Sequence, residues 1–354
     1  MPDFEYSNAR LRAMKSRLLP RPKLEELAEA GSLPALLTAL TDTPYQPSVQ
    51  AALARAAEAG MDCLRDALRG DVALTLGRAR AFFAADTVSG TLAALIFRRY
   101  DLDNLKAVLR GLARQVPADD ILAACLPVGE LGQTELAELA RTADVRAAIG
   151  LSATWRFPLA EPLLETLGKK REGEWELRDL ELALHQWHFH TASAEASRAG
   201  GLGTGLLEAL KLQADTTNVL TALRLIGSRE ATHAERHLVG PGTIPPSLLQ
   251  KAALAASPTE AVEMLSRSKL GPALRAGLAE YERTGRLSAF ERALSLEELR
   301  HFRQFFVRDP LGIGVLLGYL ALKVNEVANL RTVAWGLQLG ERPDRIRADL
   351  MFVD

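Results

Sequence analysis

An acidic residue three positions ahead of an asparagine occurs three times in this chain, each time inside a run with helical apolar spacing. Asp101 and Asn104 sit in DLDNLKAVLRGL, Asp215 and Asn218 in DTTNVLTALRLIG, and Glu326 and Asn329 in EVANLRTVAWGL. A spacing of three puts acid and amide on one helix face, about a turn apart. The asparagines are 114 and then 111 residues apart. The first and third copies extend without gaps over 105–128 and 330–353, agreeing at Leu105/Leu330, Val108/Val333, Gly111/Gly336, Leu112/Leu337, Asp119/Asp344, Ile121/Ile346, Ala123/Ala348 and Val128/Val353. Roughly two identities would be expected by chance from an Ala- and Leu-rich composition, so the match reads as descent from one unit. A second shared piece lies upstream: LAEAGSLPALLTAL from Leu27, LARTADVRAAIGLS from Leu139 and LSRSKLGPALRAGL from Leu265. The pattern predicts three related helical units, over 1–133, 134–258 and 259–354, each near the size of a small domain. An asparagine in mid-helix competes for backbone groups. Its expected role here is structural, holding a neighbouring helix end or loop.

The units are all-α by periodicity. Leu33, Leu36, Leu37 and Leu40 follow the i, i+3, i+4, i+7 rule, as do Leu102, Leu105, Val108, Leu109 and Leu112, and Val324 through Leu337 repeats the stripe. Ser257-Pro258-Thr259-Glu260 orders an N-cap, a first-turn proline and a capping-box glutamate. Ser288 with Glu291, and Ser295 with Glu298, have the same form and predict further helix starts. Alternating β-branched runs closed by Asn-Gly or Asp-Gly turns are absent. Loops are expected at 41–47 and 239–246, and a flexible turn at 199–205.

Composition excludes several classes of function. Acidic and basic residues nearly cancel, for a net charge of -1, which argues against nucleic-acid binding. Two cysteines, Cys63 and Cys125, supply neither a disulfide framework nor a four-cysteine zinc site. The N-terminal stretch carries Asp3 and Glu5 and lacks a signal-peptide apolar run. The longest uncharged apolar stretch, 310–322, is shorter than the roughly 20 residues a bilayer span needs. Any membrane association is therefore expected to be peripheral. Along the first helix Arg10, Arg12, Lys15, Arg17, Arg21 and Lys23 outnumber the acids. Arg10, Arg12 and Arg17 are candidate interface residues, for an acidic partner or anionic headgroups, with a solvated face as the plain alternative.

Other motifs imitate chemistry. His185, His188 and His190 in HQWHFH suggest a metal, but His190 is rotated off the face that the first two share, and only Glu181 is spaced to join them. His233 and His237 are four apart, yet Ala234 stands where a zinc-protease helix needs glutamate. The glycines of 200–205 are followed by no Gly-Lys-Ser/Thr, so they form no phosphate loop. No catalytic residue, cofactor or small-molecule substrate is expected.

Four pieces together resemble the C subunit of bacterial and archaeal V/A-type ATPases, the counterpart of the d subunit of eukaryotic V-ATPases. They are Tyr6-Ser-Asn-Ala9-Arg10-Leu-Arg12; Tyr100-Asp101-Leu-Asp103-Asn104-Leu105-Lys106; Asp309-Pro310-Leu311-Gly312-Ile313-Gly314 with Tyr319; and Glu326-x-x-Asn329-Leu330-Arg331 with Trp335-Gly336. The resemblance implies three similar all-helical units around a pseudo-threefold axis, making a funnel. It implies a non-catalytic rotor part between the shaft (subunits D and F) and the proteolipid ring, peripheral on the cytoplasmic side of the cell membrane and coupling ATP to proton or sodium transport. The middle unit departs in Val219 and in the polar segment 227–237. The alternatives are a free-standing helical scaffold that binds other proteins, which would share the repeats but not need both terminal motifs, and a helical metalloenzyme built on the histidines.

Overall fold

A computed structural model describes residues 4–56, 58–169 and 175–353. Asp3 lies outside them. Among the described residues every regular element is a helix. After α1 (Phe4–Lys15), the order of elements recurs. The first run is α2 (Arg21–Leu27), α3 (Leu33–Leu40), α4 (Gln46–Leu53), α5 (Met61–Arg80), α6 (Val88–Ala113) and α7 (Ala118–Ala124). The second is α8 (Gln133–Ala140), α9 (Val145–Thr154), α10 (Ala160–Lys169), α11 (Leu177–Arg198), α12 (Thr204–Leu225) and a 3-10 segment, Arg229–His237. The third is α13 (Pro246–Ala253), α14 (Pro258–Leu265), α15 (Gly271–Thr284), α16 (Ser288–Arg308), α17 (Gly314–Gln338) and α18 (Pro343–Asp349). Each run sets three short helices before two long ones and closes on a short element.

The start of the second helix in each run is fixed by the same device. Ser32, Asp144 and Ser257 are extended N-caps whose side chains accept from the amides of Ala35, Ala147 and Glu260. Each satisfies one of the orphan donors of a helix start. These caps correct the sequence register. Leu27 and Leu139 precede their caps by five residues, and the residue with that spacing to Ser257 is Ala252, not Leu265. Ser295 is likewise not a helix start: it lies inside α16, where helix-forming leucine and glutamate on both sides carry the helix through. The turn expected at 199–205 is a 3-10 segment, Gly200–Gly203, leading directly into α12.

The chain divides into two compact units, one of residues 1–89 and 299–354, the other of 90–298. The second unit holds a core around Leu105, Val108, Leu109, Ile121, Leu136 and Leu184, and another around Val219, Ala222, Leu249, Leu265, Phe290 and Leu294. In the first unit α17 is buried along most of its length, including Val315, Leu316, Tyr319, Leu330 and Val333. Within the apolar stretch 310–322, residues 313–320 therefore belong to a protein core, while Pro310 and Leu311 are exposed. No described helix is long and apolar enough to cross a membrane.

Glycine governs the close approaches. A Cβ on Gly318 would lie 2.7 Å from the Phe302 carbonyl oxygen, and one on Gly314 would lie 2.8 Å from Phe305 Cγ, so both glycines let α17 approach α16. Gly312 serves differently, making room for the Asp309 carboxylate, which accepts from the Gly314 amide at the start of α17. Helix ends match as well. A Cβ on Gly111 would meet Ile121 Cγ1 at 2.4 Å, and one on Gly336 would meet Ile346 Cγ1 at 2.5 Å. Both helices end through a left-handed residue, Gln115 at φ 56° and Gly340 at φ 68°. The bond from the Val116 amide to the Gly111 carbonyl recurs from Glu341 to Gly336.

Candidate functional site

The acid–asparagine pairs are clamps on irregular backbone. The Asn104 amide donates through Nδ2 to the Leu126 carbonyl (2.8 Å) and accepts at Oδ1 from the Leu126 amide (2.7 Å). Asn329 holds Met351 in the same way, at 2.9 and 2.8 Å. Asn218 donates to the Gly240 carbonyl at 3.0 Å and accepts from the neighbouring Val239 amide at 2.9 Å. In all three the carbonyl taken is 22 residues downstream. The three asparagines are buried, at 1–2% exposure. Each pairs one N–H and one C=O of a partly buried loop, and the Leu126 and Met351 carbonyls accept a second bond, from the Val128 amide (2.9 Å) and from Asn325 Nδ2 (2.9 Å).

The acid one turn back grips the segment just beyond. Asp101 accepts from the amides of Glu130 (2.7 Å) and Leu131 (2.9 Å). Asp215 accepts from Thr243 (2.9 Å) and Ile244 (3.0 Å), with the Thr243 hydroxyl adding a bond at 2.6 Å. Both carboxylates sit against a glycine: a Cβ on Gly129 would fall 2.0 Å from Asp101 Oδ1, and one on Gly242 would fall 1.8 Å from Asp215 Oδ1. Helical periodicity does not mark these glycines, although Gly129 and Gly242 stand beside the gripped residues in both copies.

The third acid departs from this pattern. Glu326 takes its backbone donor from Leu19, at the other end of the sequence, just ahead of α2. Its other oxygen accepts from the Tyr45 hydroxyl (2.6 Å) and from Lys323 Nζ (2.7 Å). Lys323 also forms an ion pair with Asp71 (2.7 Å) and donates to the Tyr45 oxygen (2.9 Å). All four residues are at most 7% exposed. Burial, then Glu326 and Asp71, raise the Tyr45 pKa far above the ordinary phenol range, which keeps its hydroxyl a donor. Two carboxylates around one ammonium make a connected polar cluster with a negative excess. Removal of Lys323 would leave two buried charges uncompensated.

Further pairs connect successive runs. Arg110 on α6 makes a two-pronged ion pair with Glu181 on α11, at 2.6 and 2.7 Å. Arg224 on α12 pairs with Glu291 on α16 at 2.6 Å. By the asparagine spacing, the same position on α17 is Trp335, 57% exposed.

The histidines have structural neighbours. His185 Nε2 lies 3.1 Å from Lys106 Nζ, so it accepts and Nδ1 carries the proton. Burial, then Lys106, lowers the His185 pKa to about 4. Burial, then Arg99, lowers that of His188 to about 3. Glu181 is committed to Arg110, His190 is exposed, and His237 meets Glu230 at 3.3 Å. Among the described residues no three ligand-type side chains converge as a metal site would need.

The candidate interface arginines separate. Arg12, although exposed, is tied to the protein itself: it donates to the carbonyls of Phe306 (2.9 Å) and Pro310 (3.2 Å) and lies over the Phe306 ring. With Asn8, which donates to the Gly312 carbonyl at 3.1 Å, it pins the 309–314 turn to α1. Arg10 and Arg17 instead line a cleft of about 720 Å³.

Comparison with known proteins bears on all of these features at once. The model of the family "ATP synthase (C/AC39) subunit" matches residues 7–349. The chain belongs to that family. It is 25% identical to the C subunit of the A-type ATP synthase of Methanocaldococcus jannaschii, covering 98% of this chain and 86% of that protein. It is 27% identical to the protein of the same name from Pyrococcus abyssi, over 97% and 89%. It is 26% identical to the C subunit of the V-type ATP synthase of Deinococcus radiodurans, over 98% and 91%. Of the motif residues that carried the resemblance, Asp101, Asn104, Glu326 and Asn329 are clamp residues and Asn8 and Arg12 anchor the 309–314 turn, whereas Arg10 lines the cleft and Trp335 is exposed.

Two outcomes follow. Asn329→Leu leaves the Met351 amide without its side-chain acceptor and removes one of the two bonds to the Met351 carbonyl, the other coming from Asn325 (2.9 Å). A loss of about 1–3 kcal/mol is expected in urea denaturation; an unchanged midpoint would mean that the clamp contributes nothing. The histidines give a pH dependence with a defined sign. Between pH 6.5 and about 4 (His185) or about 3 (His188), the unfolded chain binds protons that the folded chain excludes. Stability should therefore fall as pH drops through that window. The shift of the urea midpoint between pH 7 and pH 5 should shrink in a His185→Gln/His188→Asn variant.

Proposed function

We propose that this C/AC39 chain is the non-catalytic central-stalk subunit of a rotary A/V-type ATPase. In this reading it lies on the cytoplasmic side of the cell membrane, peripherally, and joins the rotor shaft (subunits D and F) to the proteolipid ring for ATP-linked proton or sodium transport. The observation that carries the reading is the family match along nearly the whole chain, 7–349, combined with side chains spent on holding backbone rather than on a reactive centre. A coupling between two moving parts needs stiffness, and packed helices whose connecting loops are clamped supply it. It also needs contact area rather than a reactive pocket.

The recurring caps, clamps and helix order support three copies of one unit around a pseudo-threefold axis, shaped as a funnel. The N-caps argue that the third copy begins with α13, earlier than residue 259, because Ser257 corresponds to Ser32 and Asp144 inside their copies. In such a ring the bond from Leu19 to Glu326 does for the third copy what the segments 130–131 and 243–244 do for the first two.

Affinity purification of the tagged chain from gently solubilised native membranes tests the assignment. Shaft and proteolipid subunits are expected in stoichiometric amounts. Recovery of the chain without any ATPase subunit would favour the free-standing scaffold.

A further inference from the structure

The cleft on the first unit is lined by α1, the turn into α4, α5 and α17. Its floor holds buried Asp71 and Lys323, 2.7 Å apart, and Lys323 is shared with Glu326, so the buried cluster carries an excess of one negative charge. Its walls carry Arg10, Arg17 and Arg78, all exposed, and among the described residues none of the three makes an ion pair. Three guanidinium groups around a concavity outnumber that single buried negative excess and focus a positive field. The crowding extends along α1: burial and the like charges of Arg303 and Arg12 pull the Lys15 pKa down. Such an excess stands out in a chain whose net charge is -1.

The rest of the lining narrows the class of anion. Leu74 is 45% exposed there, beside Leu18 and Phe82, and Arg10 is stacked 5.3 Å from the centre of the Phe82 ring. Stacking holds the guanidinium in place, so less side-chain freedom is lost when an anion binds. Aromatic and arginine side chains are enriched where proteins bind one another, and Leu74 adds exposed apolar area beside them. A flat anionic membrane surface would meet only the rim of a concave site and leave Leu74 and Phe82 unused.

We propose that this cleft receives an acidic segment of a neighbouring subunit, a stretch of polypeptide with at least two carboxylates flanking an apolar side chain. The inference rests on the chain being one subunit of a larger assembly.

The test uses the intact ATPase with a photoreactive benzoylphenylalanine in place of Leu74. After irradiation, mass spectrometry should find one adduct, to a peptide that belongs to another subunit and has two or more Asp or Glu residues within about two helical turns of the crosslink. An Arg10→Glu/Arg78→Glu variant should lose at least about tenfold in adduct yield, equivalent to about 1.4 kcal/mol of binding. Arg10→Lys/Arg78→Lys should keep most of the yield, and so should Arg114→Glu, on an exposed residue outside the cleft. Thermal melting of each purified variant verifies folding. An adduct to lipid, an adduct to a segment without acidic residues, or a yield insensitive to charge reversal would overturn the proposal. So would no adduct in a complex that still contains the chain. Loss of the chain from every ATPase subunit in the unmodified protein would instead overturn the reading under it.

Discussion

A buried loop peptide must have both its N–H and its C=O paired, and in this fold an asparagine on a long helix does that three times over. The cost of placing asparagine in mid-helix is about half a kcal/mol. The cost of leaving a buried peptide group unpaired is about 1–3 kcal/mol. That difference explains why so poor a helix former recurs where periodicity alone would favour leucine. Because each clamp reaches 22 residues downstream, it fixes the exit of the long helix, the short element that follows and the loop beyond as one body. The carboxylate one turn back then orients the segment leading into the next short helix. Two adjacent side chains so determine how one run of helices hands over to the next.

The third clamp shows how far this device can vary. Asp101 and Asp215 reach their amides because Gly129 and Gly242 bring the backbone against the carboxylate. Glu326, one methylene longer, reaches Leu19 and shares Lys323 with Asp71 and Tyr45. A buried ionic cluster is a hazardous substitute for backbone donors, since desolvation is severe and removal of one member strands the others. It also couples α17 of the third run to α5 and the N-terminal segment of the first, through Asp71, Tyr45 and Leu19. The first and second copies use surface pairs instead, Arg110 with Glu181 and Arg224 with Glu291. Such exposed pairs contribute well under 1 kcal/mol each, and they direct register more than they stabilise.

Much of this was legible in the sequence, for physical reasons. The all-helical class followed from apolar stripes. The asparagine spacing marked the clamps, and the Gly111/Gly336 and Ile121/Ile346 identities are residues that touch each other across a helix end. What each asparagine holds was not legible, because the 22-residue reach depends on where the helix ends and how the chain turns back. The bond between Leu19 and Glu326 joins opposite ends of the sequence, and no periodicity signals it. The false start at Ser295 came from a capping pattern that helix-forming neighbours overrode. The division of the arginines was legible only in part: at about 100° per residue Arg10 and Arg12 point to different sides of α1, whereas Arg17 lies past the end of that helix, in the turn after Lys15. HQWHFH misleads because a histidine can be buried as an uncharged packing group beside cations, as His185 is beside Lys106.

The account depends on the loop peptides being held as firmly as helix interiors. Native-state hydrogen exchange resolved to single amides measures this directly, at Leu126, Val239 and Met351, which lie outside the helices yet donate to the clamp asparagines. The account predicts protection at these three amides comparable to that of core helical amides such as Leu109 and Leu330, with opening only in sub-global or global unfolding. Exchange at the rate of ordinary exposed loops would contradict it.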